Sequence, residues 1–511
     1  MGHHHFGWFP MDPAASAALA GAMPLPSTAT PAANGAAYCV DPTAYASVLP
    51  QMMQPVPAAE ATEAARRRQE EEEGAAIRLV HLLVTCAGAI QEGDYSAAHG
   101  TLADARGVLC AISTASGIGR LAEHFAAALA HRLFPATPHS PPPPPPLAAP
   151  AELHYRFYEA APFLKFAHFA ANQAILEAFD GCPKVHVVDF AIMHGHQWPA
   201  LIHALAKRDG GPPHLRITGV GPPSTGGGDE LREVGFRLAE LARSLNVEFM
   251  FQGVSADKLD EVFPWKLRLA TDEQVAVNSV LQLHRLLVDR DADPAVRAPI
   301  DAFLEWVAAI RPKVFTVVEQ EVDHNKPLLQ ERFTNALFHY AAMFDSMEAL
   351  SSRAVGAGRA LAEAYLQSEI FDIVCGEGSA RAERHEPLGR WRERLAGAGL
   401  TQVPFGPSAV HHATGVLRSL TSSSSSSSSS ASGFGVWERD GSLALAWHGR
   451  PLYSATAWRA TGGNAAGGAT RARHDDNGYM HIISRDGSAE SNGSGNLATA
   501  QDAAQADGMI I

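Results

Sequence analysis

Apolar and polar positions along this chain repeat first with a helical period and then with a strand period. In "AAIRLVHLLVTCAGAI", Ile77, Val80, Leu83 or Val84, Ala87 and Ile90 fall on one helical stripe. Upstream, Thr62 is placed to cap a helix through the charged stretch toward Gly74, and "IGRLAEHFAAALAHRLF" predicts another helix. "APFLKFAHFAANQAILEAFDG" carries Pro162 at a first turn, Phe163, Phe166 and Ala170 on a shared face, and Gly181 at the C-terminal cap. From Val185 the period changes. VHVVDF is a short, nearly all-apolar strand of the buried parallel type.

Alternation then continues: helix "WPALIHALAK", strand "HLRITGVG", and a helix that places Leu231, Val234, Leu238, Leu241 and Leu245 on one stripe. Strand "VEFMFQGV", strand "QVAVNSV", helix "VLQLHRLL", helix "PIDAFLEWVAAI" and strand "KVFTVVEQE" follow. This rhythm requires a parallel sheet with helices on both faces. In "FGVWERDGSLALAWHG", Phe434 and Val436, then Leu443, Leu445 and Trp447, alternate around an Asp-Gly turn, which predicts a β-hairpin. An antiparallel hairpin closing a parallel sheet predicts an α/β, doubly wound fold of the methyltransferase-like (Rossmann-type) variant.

Residues 1–61 show no sustained period and are expected to be disordered, with one apolar patch, AYASVLPQMM, able to dock on a partner. "PHSPPPPPPLAAP" reads as a polyproline linker or loop, the serine run 422–430 as a flexible insertion, and residues 461–511 as a disordered tail. No uncharged run of about 18 apolar residues occurs, so no membrane span is expected. The N-terminus lacks the basic start and long apolar stretch of a secretory signal.

Composition narrows the function. A hydrophobic content of 46% is globular. The formal charge is −14, from 40 basic and 54 acidic residues, which disfavours a direct grip on nucleic acid. Arg66-Arg67-Arg68 runs straight into Glu70 to Glu73, a self-compensating helix face. Five scattered cysteines, Cys39, Cys86, Cys110, Cys182 and Cys375, contain no CxxC, which argues for a reducing compartment and against a zinc module.

A ligand in such a fold sits beyond the carboxyl ends of the strands. Asp189 stands there, followed by Phe190-Ala191-Ile192-Met193-His194-Gly195-His196. A cofactor loop needs several glycines for close backbone approach, whereas Gly195 stands alone among bulky residues. The next strand ends in glycine and valine, not in the acid that would hold ribose hydroxyls. No cofactor is therefore expected; a small-molecule site would use Asp189, Gly195 and Glu319, as in an S-adenosylmethionine or other small-molecule enzyme. No catalytic set and no metal site is expected: His194, His196 and His203 lack an evident third ligand. Glu319, Glu321, His324 and Asn325, at a strand's carboxyl end, are expected to satisfy loop amides and pair with arginines. Two LxxLL strings, Leu79 to Leu83 and Leu283 to Leu287, present leucines to a partner's groove or to the core. Arginines and glutamates alternating from Arg381 to Arg394 suit helical ion pairs, with Trp391 and Leu395 facing inward.

These blocks, in order, resemble the GRAS family of plant transcriptional regulators over residues 75–460. "IRLVHLLVTCAGAIQEGD" matches its first leucine-rich region, "VHVVDFAIMHGHQWPALIHAL" its VHIID block and "VAVNSVLQLHRLL" its second leucine-rich region. "RFTNALFHYAAMFDSMEA" matches the PFYRE block, "RAERHEPLGRW" the RVER block and "LAWHGRPLYSATAW" the closing SAW block. The wording is most similar to the DELLA subgroup, gibberellin-response repressors. The subgroup's hormone-receptor segment is absent from residues 1–75, where only "YCVDPTAYASVL" resembles its neighbour, as in slender-rice-like members.

The resemblance implies a nuclear, non-enzymatic repressor of gibberellin responses that escapes hormone-triggered degradation and does not bind the gibberellin receptor efficiently. Its expected partners are DNA-bound transcription factors and, as a dimer, itself or other GRAS proteins, with no membrane. Leu79, Leu82, Leu83, Asp189, Leu283, Leu286 and Leu287 become the expected partner-binding residues. The implied organisation is a disordered region (1–61), an α-helical cap with the first leucine-rich region and Pro-rich loop (62–150), the α/β core (151–460) and a tail (461–511).

Overall fold

A computed structural model describes residues 58–110, 112, 116–134, 149–223, 229–288, 298–350, 357–421, 433–461, 471–474 and 480–483. The docking patch AYASVLPQMM, the polyproline run and the serine run lie outside the described residues.

The chain enters through α1 (Ala58–Glu92), α2 (Tyr95–Leu109), α3 (Gly117–Leu133) and α4 (Pro150–Ala160). α1 starts before Thr62, the expected cap, and passes through Gly74 without a break. An exposed mid-helix glycine costs only about 1 kcal/mol, less than the packing that follows it returns. Its buried stripe is Leu79, Leu83, Cys86, Ala87 and Ile90, while Ile77, expected on that stripe, is 67% exposed. By length and composition Glu70–Glu92 would suffice to cross a membrane, although charged residues interrupt its apolar run. Its apolar character is explained by the face packed against α2 and α3. Asp94 and Ser116 cap α2 and α3, accepting from Ala97 and Gly119 amides at 2.9 and 3.2 Å.

After α5 (Phe163–Ala178), whose Phe163, Phe166 and Ala170 are buried as their spacing predicts, the sheet begins. β1 (Lys184–Asp189), α6 (Trp198–Ala206), β2 (His214–Gly221), α7 (Glu230–Ser244), β3 (Phe249–Ser255), β4 (Gln274–Val280), α8 (Pro299–Ala309) and β5 (Val314–Gln320) follow the predicted order. Then come α9 (Leu329–Ala349), α10 (Ala357–Cys375), α11 (Leu388–Gly397), β6 (Leu400–Val403) and α12 (Pro407–Thr421). Strands β7 (Phe434–Arg439), β8 (Ser442–Trp447) and β9 (Arg450–Ala460) close the domain.

The sheet runs β3-β2-β1-β4-β5-β9-β8-β7, with β6 on β9. β1 to β5 are parallel and β7 to β9 antiparallel, which is the expected methyltransferase-like doubly wound order. Asp440 and Gly441 both take positive φ, 50° and 76°, so the hairpin turns as the Asp-Gly pair predicts. Alternate residues of β1 serve opposite layers: Val185 and Val187 join the larger core with α5, α6 and the cap, and Val188 joins a second core under α8 and α11.

The cap is not N-terminal alone. α9 and α10 pack on α1, α3 and α4, with Phe125 and Phe333 rings edge-to-face at 5.1 Å and Arg120 bridging to Glu363 at 3.0 Å. "VLQLHRLL" forms only a 3₁₀ turn at Leu283–Leu286, not the expected helix: Leu281 takes φ 55°, and the Glu319 carboxylate captures the Leu283 amide at 2.9 Å. The segment from Arg381 to Glu386 is likewise extended rather than helical. Pro387 disfavours helix at the preceding residue, and the charges pair across elements instead. Within the expected disordered tail, β10 (Arg471–His474) and β11 (Met480–Ile483) form a short antiparallel pair. The four cysteines among the described residues are free thiols.

Candidate functional site

The chain turns from β1 to β2 on one side and reaches β4 on the other, which opens a crevice at the carboxyl end of β1. Asp189 lies there, 2% exposed. Its Oδ1 accepts from the Ala191 amide at 3.1 Å and Asn278 Nδ2 at 3.2 Å, and its Oδ2 accepts from Trp198 Nε1 at 2.9 Å. Burial pushes the carboxyl up to about 6, with the three donors pulling against it. A relay continues from Thr316 to Asn278 at 2.8 Å and from Asn278 to Gln197 at 3.1 Å, so this polar chain ties β5, β4 and the loop together.

The loop turns through two left-handed residues while carrying bulky side chains. Met193 takes φ 44° and Gly195 φ 72°. A Cβ on Gly195 would meet Val234 of α7 at 2.8 Å. Ile192 folds over the end of β2: a Cβ on Gly219 would stand 2.9 Å from three Ile192 side-chain atoms. Ile192 thus leaves no room for a side chain at Gly219, near the end of β2. The β1–β2 side of the crevice is filled.

The β4 side is open, although Gly195 stands among bulky residues. A cavity of about 310 Å³ remains between the loop, the end of β4 and cap helices α4 and α10. His154, His168, His196, Arg285, Tyr365 and Glu369 line it together with Asp189. Gly195 and Glu319, grouped with Asp189 as a small-molecule site, are not on its wall. His194 and His196 reach the cavity, His194 Nε2 meeting the Ala151 carbonyl at 2.8 Å. His203 faces its own helix at the Pro199 carbonyl, 2.8 Å away.

Beside the cavity lies a buried ion cluster. His284 places Nδ1 2.7 Å from Glu319 and Nε2 2.8 Å from Glu383, which also takes Arg285 Nη2 at 2.8 Å. Burial pushes His284 down, but the two carboxylates outweigh it and raise the imidazole to about 9. Glu383 resists burial through Arg285 and His284 and falls to about 2. His284, Glu383 and His385 are spaced closely enough to hold a metal ion. With both His284 nitrogens on carboxylates, the ring is a cation and offers no lone pair. Glu321 accepts the Leu388 amide at 3.0 Å, and Asn325 donates to Glu386 at 2.9 Å, so both satisfy loop groups as their position predicts.

Among the leucine strings, Leu79 and Leu83 are 1% and 0% exposed and Leu82 is half-buried; Leu283, Leu286 and Leu287 are at most 4% exposed. The sequence pattern does not mark His154, His168, Arg285 or Glu369: they sit on separate elements and only the closed cap brings them together.

Over 467 residues the chain is 56% identical to Protein SLENDER RICE1-LIKE 1 of Oryza sativa subsp. japonica, covering 89% of this chain and 90% of that one. It is 42% identical over 402 residues to DELLA protein DWARF8 of Zea mays, covering 75% of this chain and 61% of that one. The crystal structure of SCL7 in Oryza sativa superposes with a TM-score of 0.61 at 32% identity, covering 75% of this chain and 99% of the other. Residues 79–459 match the GRAS domain family, and the chain is a member of it.

Proposed function

We propose that this protein is a nuclear transcriptional regulator that acts through DNA-bound transcription factors and represses gibberellin responses while escaping hormone-triggered degradation. The observation that carries the reading is the filled β1–β2 side of the crevice: Ile192 covers Gly219, and the hydrogen bonds of the Asp189 carboxylate go to Ala191, Asn278 and Trp198. A sheet end spent on its own side chains supports a scaffold whose outer faces do the recognising, in line with similarity to SLENDER RICE1-LIKE and DELLA proteins.

In this reading Leu79, Leu82 and Leu83 serve partners by holding α1 in place, with exposed Ile77 and half-buried Leu82 at the surface. Leu283, Leu286, Leu287 and Asp189 fix the sheet end behind it. The test compares chromatin association in plant nuclei for the wild type and for Leu79→Ala/Leu82→Ala/Leu83→Ala, with circular dichroism as the folding control. Association that requires a DNA-bound factor supports the proposal. Tight binding of bare duplex by the purified protein, or rapid loss of the protein on adding gibberellin and its receptor, contradicts it.

A further inference from the structure

The cavity on the β4 side has walls of two kinds. Leu153, Leu164, Ile192, Val280 and Leu281 give it apolar surface. Among them stand three histidines, each with a buried ring nitrogen that has no hydrogen-bond partner: Nδ1 of His154, Nδ1 of His168 and Nε2 of His196. Buried polar nitrogens in folded proteins are nearly always paired. Water would answer the nitrogens and leave the apolar walls wet, whereas an amphipathic occupant answers both. At about 310 Å³ the space lies at the lower end of the volumes, about 300–1,000 Å³, that small-molecule sites take.

Charge selects the class. Glu383 is already held by Arg285 and His284, and Asp189 by three donors. Glu369 accepts from Gln320 and Tyr340 at 3.0 and 2.8 Å, and burial raises its carboxyl to about 7. Burial also drives His154 and His168 down to about 3 and His196 to about 4, so these rings are neutral. A cation entering here would find the carboxylates of Glu383, Asp189 and Glu369 already held, and an anion would leave water for an arginine whose charge Glu383 already shares. Arg285 shares its charge with Glu383 yet keeps 46% of its side chain accessible, and it has further N–H donors for an oxygen.

We propose that the cavity binds a small uncharged molecule with an apolar body and at least one hydroxyl or carbonyl oxygen, seated against His154, His168 and His196 between the cap and the end of β4. Such an occupant ties α4 and α10 to the sheet, so its binding stiffens the cap.

The test titrates the full chain with three isosteric probes, cyclohexylmethanol, cyclohexanecarboxylate and cyclohexylmethylammonium, followed by ligand-observed NMR. The alcohol is expected to bind saturably and at least tenfold more tightly than either ion. Ser368→Trp, at an exposed position on the rim, is expected to abolish that binding. His168→Phe, which keeps the ring and removes its nitrogens, is expected to weaken it at least fivefold. Circular dichroism checks each variant, and Ser368→Met replaces Ser368→Trp if the latter does not fold. Ions that bind as well as the alcohol, binding that survives the rim substitution, or a folded wild type that binds no probe overturns the proposal.

Discussion

The indole N–H of Trp198 donates to Asp189 Oδ2 across 2.9 Å beneath the carboxyl end of the sheet. The residue that opens α6 thereby anchors the residue that ends β1, and the acid best placed for a ligand is spent on the fold. Replacing Asp189 by Ala leaves three donors unpaired and is expected to cost about 2–4 kcal/mol in urea denaturation. Trp198→Phe removes one donor, keeps most of the shape, and is expected to cost clearly less. An Asp189→Ala protein as stable as wild type would remove the anchor.

Ile192 and Gly219 are expected to be energetically coupled. Gly219→Asp drives a side chain into Ile192 and should destabilise by about 2 kcal/mol or more. Ile192→Ala should cost about 2–4 kcal/mol through the space it leaves. In the double variant each change relieves the other, so its loss should fall short of the sum by about 1 kcal/mol or more. Strict additivity of the two losses would contradict the packing described.

His284 makes stability depend on pH in a defined direction. Its ordinary value is 6.5 and its folded value about 9, so the protonated ring is the form the fold holds. That stabilisation is complete below about pH 6.5 and is lost as pH rises through 9, a change of roughly 3 kcal/mol. Glu383, lowered to about 2, contributes above 4.5 and loses its contribution as pH falls toward 2. Thermal melts should therefore drop between pH 7 and 9. His284→Asn should flatten that slope and cost about 3–5 kcal/mol, because it strands buried carboxylates.

Leu83→Ala and Ile77→Ser separate cap stability from cap surface. Leu83 is fully buried and its truncation should cost about 2–5 kcal/mol. Ile77, on the exposed face, should change stability by less than about 0.5 kcal/mol. A chromatin-association defect in Ile77→Ser with an unchanged melting temperature would locate partner contact on the outer face of α1.

The sheet is legible in the sequence because its signals are local: VHVVDF reads as a buried strand, and Asp440-Gly441 dictates its own turn. The cap is legible only in part, since α9 and α10 come from the middle of the chain and join α1 and α3 through contacts that no local pattern announces. The second leucine string misleads for a similar reason. Its spacing is helical, but the Glu319 carboxylate, brought from β5, takes the Leu283 amide and stops the helix at one turn. Asp189 and its bare loop are visible as a weak cofactor site; the reason, Ile192 lying on Gly219, needs the neighbouring strand. Of the cavity histidines, His196 stands in the His-Gly-His loop after β1, whereas His154 on α4 and His168 on α5 carry no sequence signal.

Calorimetric titration of S-adenosylmethionine into the purified full chain tests most directly whether a cofactor fold serves here as a scaffold. No saturable heat is expected up to millimolar cofactor, for wild type and Asp189→Ala alike. A micromolar isotherm that Asp189→Ala abolishes, accompanied by methyl transfer, would contradict the account.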